Sequence, residues 1–293
     1  TIPIAILISY KSVAQVESYA RAALQSSMSI CMSCHTQLPA KSRPAEMLIS
    51  AIEKPVLPEN IFKQSELVFL MWDFDWAIAL YDQMISQYPK NKLNLSQLTT
   101  VLDRKLTIFA RTKRDPNAAI ISFQKDLLNH KLPTSLHSNI RLWITEFQNW
   151  AAEPKYDVKS MSDPELDQLI EKNKVLITNA NPNDLARPNL VHFLKISGIL
   201  YEYLNTHAET KLKAEILYWL GICDNQINSN FFYSLSDLYF KECILSYPED
   251  PFGRRCFDEY KKNTLAHYMI HNQNRVPKGV ERALNKLEKG LRT

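Results

Sequence analysis

Glycine is scarce in this chain, with five residues among 293 against fifteen prolines. Sheets joined by tight hairpins draw on glycine for their turns, so the ratio argues against a β-rich fold and suits helices that prolines start and stop. No run reaches the roughly 18 consecutive apolar residues of a membrane span. The apolar opening from Ile2 to Ile8 is shorter than that and gives way to Ser9, Tyr10, Lys11 and Ser12. Also missing are a glycine-rich phosphate loop, a nucleophile-base-acid arrangement and a zinc-protease motif, which leaves hydrolysis and phosphoryl transfer without support. Basic residues do not interleave with aromatics in the way that argues for nucleic acid.

What remains is an ordinary globular profile: 45% hydrophobic, 23% charged and a net charge of +4. A fold of this length buries roughly 75% of its extended-chain surface and needs no disulfide for stability. Length allows one large or two ordinary domains.

Cys31-Met32-Ser33-Cys34-His35 is the one short run whose residue types prescribe a particular chemistry. Two thiols separated by two residues and followed by an imidazole are the attachment pattern for a covalent haem. Three other readings stay open here. A zinc site needs further ligands, and Cys223, Cys243 and Cys256 lie far away without a second paired spacing. A thioredoxin-like redox pair belongs in a βαβ unit, whereas the flanks here read as helix. The third is a structural disulfide, or simply two loop cysteines, in an oxidising compartment.

At all its defined positions the pentapeptide resembles the haem-attachment motif of the c-type cytochromes. That resemblance implies one covalent haem c per chain, with thioethers at Cys31 and Cys34 and His35 as proximal iron ligand. For a distal thioether, Met47, Met71 and Met84 are the downstream candidates, with Met47 the nearest and Met32 sterically unsuited. His130, His137, His192, His207, His267 and His271 are further candidate ligands with no distinguishing spacing. Thioether attachment in bacteria takes place outside the cytoplasmic membrane, so export to the periplasm or cell envelope is expected; a removed signal segment or anchor fits this, and Ile4 to Ile8 equally suit the first turns of a core helix beginning at Pro3.

Around the motif the chain reads as helix. Residues 13–28 place Val13, Val16, Ala20 and Leu24 at helical spacing behind Ser12, and a proline loop after His35 leads to a short helix over residues 45–52. From Pro58 the pattern changes to paired amphipathic helices, the second capped by Asp73 or Asp75 and ended by Tyr88-Pro89. This pair resembles a tetratricopeptide repeat: Ala77, Tyr81 and Pro89 fall where that family places alanine, an aromatic and a terminal proline, although the first helix lacks its tryptophan, leucine and glycine. Leu217 to Gly221 and the ending Leu245-Ser246-Tyr247-Pro248 resemble a second, degenerate unit.

Between the two units, helices are expected over residues 96–112, from Asp115-Pro116 through Leu128, and from a Thr134 cap. Ser162-Asp163-Pro164-Glu165 reads as a capping box, and a helix follows from Leu190 to Leu204. The expected fold is all-α, with antiparallel helix hairpins stacked as in tetratricopeptide solenoids behind a short cytochrome-c-like segment. Three regions are drawn: 1–56 with the motif, 57–152, and 153–293 with a basic C-terminus.

The five tryptophans lie among apolar residues and are expected to pack between helices. Cys223, Cys243 and Cys256 read as buried, with their pairing open. Near the end, Lys261, Lys262, Arg275, Lys278, Arg282, Lys286, Lys289 and Arg292 face few acids, notably Glu281 and Glu288. This suits a solvated face, an acidic partner or anionic lipid headgroups.

The leading expectation is an exported single-haem electron carrier, or redox or gas sensor, whose helical surface binds a protein partner. The rival is a tetratricopeptide-like envelope adaptor with Cys31 and Cys34 free or disulfide-bonded, and a peroxidase-like haem enzyme is a third.

Overall fold

A computed structural model of the protein describes residues 61–178, 189–227, 235–271 and 276–291. They form eleven α-helices and one π-helical stretch, and there is no strand among the described residues. The all-α expectation holds. In order the helices are α1 (Ile61–Leu70), α2 (Phe74–Gln87), α3 (Leu95–Thr107), α4 (Pro116–Asp126), α5 (Thr134–Ala151), α6 (Asp163–Thr178), α7 (Leu190–Thr206), α8 (Lys213–Ile227), α9 (Ser236–Ser246), α10 (Pro251–His271) and α11 (Lys278–Gly290).

Local chemistry accounts for the helix starts. The Asp73 carboxylate accepts from the Trp76 amide at 3.1 Å and caps α2, and Asp115 accepts from the Ala118 amide at 3.0 Å ahead of Pro116 and caps α4. At α3, Asn94 and Gln97 exchange side-chain and backbone hydrogen bonds in a capping box. The Glu165 carboxylate accepts from both the amide and the hydroxyl of Ser162 at 2.7 Å, which fastens the start of α6. One cap is displaced from its expected place: Pro133 occupies the cap of α5, and Thr134 is the first helical residue.

The helix expected over residues 96–112 is present but changes winding partway. It runs as α3 and continues as a π-helix from Ile108 to Lys113 until Arg114, in the left-handed conformation at φ 50°, stops it. Consecutive helices pack together in α1/α2, α4/α5 and the run α7 to α10. The α3–π unit packs on its neighbours α2 and α4 and breaks this nearest-neighbour order by packing, far along the chain, on α7. At the α7 crossing a Cβ on Gly198 would lie 2.6 Å from the Arg111 carbonyl oxygen, so only glycine lets the two backbones approach this closely.

Trp143 and Trp219 are buried, and Trp72, Trp76 and Trp150 pack against the core at its edge, as expected of the tryptophans. An aromatic series runs from Phe109 through Phe123 to Trp143 and Phe147, with ring centroids 5.6 to 6.2 Å apart. Cys243 and Cys256 form a disulfide that joins α9 to α10. Cys223 is free and buried, and burial pushes its thiol up to about 12.

Candidate functional site

Cys31, Cys34, His35 and Met47 lie outside the described residues. Of the other candidate ligands, Met71 and Met84 are buried in the core, where packing holds their side chains. The ring of His137 lies 3.2 Å from the Asn129 carbonyl, and His207 stacks on Tyr203 at 3.9 Å. His192 lies at the packed start of α7, where burial first and Lys195 second push it down to about 4. His130 is exposed. The side chains of His267 and His271 lie outside the described residues, and among the described residues no group of three or more His, Cys, Asp or Glu could hold a metal ion.

Charge is instead gathered along the α3–π unit. Residues 101–111 are all buried, polar and apolar alike, with Val101, Leu102, Leu106, Ile108, Phe109 and Ala110 among them, so its cations go into the interior with it. Arg104 meets Glu66 of α1 at 2.6 Å. Lys105, fully buried, meets Asp82 of α2 at 2.7 Å and Asp126 of α4 at 2.6 Å. Arg111 meets Asp224 of α8 at 3.3 Å. Lys113 pairs with Asp75, and Arg114 with Glu202 of α7.

Five helices thus each present a carboxylate to one cationic strut. Burial pushes Glu66, Asp126 and Asp224 above the usual carboxylate range, Asp126 to about 6, while their cationic partners pull each one back. Such pairs fix which helix lies where, because removing either partner strands a buried charge.

Beside the strut's C-terminal end opens a cleft of about 370 Å³, lined by Lys113, Arg114, Asn117, Trp150, Glu153 and Tyr156. A second cleft of about 330 Å³ shares Lys155 and Tyr156 with it and extends along α6. At the wall of the first, the buried Lys195 ammonium donates to Glu153 at 2.6 Å and lies over the Trp150 ring at 5.2 Å. Burial holds this lysine below its ordinary range, and Glu153 opposes the shift. Nearby, the two oxygens of Glu146 accept from the Asn189 and Val191 amides at 2.7 and 3.1 Å, which anchors the start of α7. Desolvation nevertheless pushes Glu146 up to about 7.

The clefts hold charged and aromatic groups, and in the second the Ser160 hydroxyl donates to the Asp157 carboxylate at 3.0 Å, an arrangement that can bind and orient a ligand. The strut itself was missed in the sequence. The available signal was Arg104-Lys105 flanked by Val101-Leu102 and by Leu106, Ile108 and Phe109, since cations drawn into a core require partners. Compared with family models, curated proteins and solved structures, the chain matches none.

Proposed function

We propose that the protein is an exported single-haem c-type protein whose helical body serves as a partner-binding scaffold. The observation that carries this reading is the pentapeptide Cys31-Met32-Ser33-Cys34-His35. As a donor set it fits haem c: two thiols for the vinyl groups and an adjoining imidazole for the iron. Bound there, the group would supply one-electron chemistry or respond to redox state or a small gas. Cys31 and Cys34 anchor it and His35 is the proximal ligand. Packing of Met71 and Met84 in the core favours Met47 among the downstream thioethers for the distal position. The Cys243–Cys256 disulfide supports the compartment, since such bonds persist in oxidising surroundings outside the cytoplasm.

A second reading, a tetratricopeptide-like adaptor with Cys31 and Cys34 free or disulfide-bonded, rests on the consecutive packing of helices such as α1/α2 and α4/α5. A visible spectrum in pyridine, taken after acid-acetone extraction of protein made in a host that matures c-type cytochromes, separates the two. Retained haem absorbance, abolished in Cys31→Ala/Cys34→Ala, is expected. A colourless parent chain would leave the adaptor.

A further inference from the structure

The final helix carries cations of a different kind from those of the strut. Lys278, Arg282, Lys286 and Lys289 are all exposed, and none is ion-paired to a carboxylate among the described residues. Among the described residues their side chains make one hydrogen bond, from the Arg282 guanidinium to the Lys278 carbonyl at 3.3 Å. At about 100° per residue the four fall within an arc of about 80°, in a row about 16 Å long.

Their opposite face is occupied. Leu284 is buried, and Val280, Leu287 and Leu291 pack against the core, within an arc of about 60° turned away from the cations. α11 rests on α9 and α10 through that face, and Glu288 reaches back to Arg254 at 3.4 Å. The helix is thereby fixed with its basic side outward.

We infer that this ridge is a docking surface for the anionic headgroups of a phospholipid bilayer. Its shape and composition choose this occupant over an acidic protein. Protein interfaces centre on apolar and aromatic anchors and are depleted of lysine, whereas Asn285 is the principal uncharged side chain bordering the ridge and no aromatic lies on α11. A straight convex row without a pocket instead suits a charged plane, each cation adding Coulomb attraction within a Debye length of the surface. The inference does not depend on the haem reading, since it uses no residue of the N-terminal motif.

The test is flotation of the full chain with vesicles of phosphatidylglycerol and phosphatidylcholine in equal parts, beside vesicles of phosphatidylcholine alone. Binding to the anionic vesicles only, weakened by added salt, is expected. Lys278→Gln/Arg282→Gln/Lys286→Gln/Lys289→Gln should weaken it at least ~100-fold. A control removes the same charge from exposed lysines elsewhere, Lys63→Gln/Lys90→Gln/Lys131→Gln/Lys159→Gln, and should stay within about fivefold of the parent. Thermal unfolding of both variants checks that they fold. Equal losses in the two variants, equal binding to neutral vesicles, or no binding to anionic ones would overturn the inference.

Discussion

The strut formed by α3 and its π-helical continuation and the final helix α11 are both rich in lysine and arginine, and they dispose of the charge in opposite ways. In the strut, Arg104, Lys105 and Arg111 are buried and each meets a carboxylate from another helix. On α11 the four cations of the basic face are exposed and have no such partner among the described residues. What separates the two is the apolar residues around them. A segment buried on every side takes its cations inside, where an unpaired charge is prohibitive, whereas a helix buried along one stripe keeps its opposite face in water. The same residue types therefore fix the fold in one place and remain available to a partner in the other.

Breaking the strut should have the largest effect. Lys105→Met strands Asp126, which is buried, and Asp82, and should lower the unfolding free energy by about 3–5 kcal/mol in urea denaturation. Lys105→Met/Asp126→Leu should recover a large part of that loss, because a buried pair replaced by apolar groups costs far less than a broken one. Next comes the crossing of α7 over the π-helix. Gly198→Ala sets a methyl group against the Arg111 carbonyl and should cost about 1–3 kcal/mol, read in the same titration.

Glu146 sharpens the comparison by showing what a carboxylate does when backbone amides are its partners. Its pKa is raised from 4.5 to about 7, so between those values the folded state holds a proton that the unfolded state has released. Stability from this group is thus present at the acid end of the window and lost as pH rises through it, by about 3 kcal/mol. Subtracting the curve of Glu146→Gln from that of the parent should isolate this decline, leaving aside His192, whose lowered pKa acts with the opposite sign. A flat difference would mean that the two amides already hold the ionised form. The smallest effect belongs to α11: each glutamine in place of Lys278, Arg282, Lys286 or Lys289 should change stability by less than about 0.5 kcal/mol.

These contrasts also mark how far the sequence could be read. Helix class and many boundaries were legible because their causes are local: Asp73 and Asp115 cap α2 and α4 as their spacing indicates, and Glu165 closes back on Ser162. The Thr134 cap failed by one position because Pro133 took the cap place. Nothing local announces the π-helical turn at Ile108, nor the partners of the strut, since Arg104 and Glu66 are 38 residues apart and Arg111 and Asp224 are 113 apart. The pairing of Cys243 with Cys256 likewise depends on how α9 lies against α10. For the candidate site the position is reversed. The pentapeptide Cys31 to His35 is a local pattern that the sequence displays in full, whereas the cleft beside Lys113 and Tyr156 arises only when α4, α5 and α7 come together.

The most direct measurement is the intact mass of the denatured chain, purified from a host that matures c-type cytochromes. A mass greater than that of the polypeptide by one haem, lost in Cys31→Ala/Cys34→Ala, is the predicted result. An unmodified polypeptide mass from that same host would contradict the haem reading.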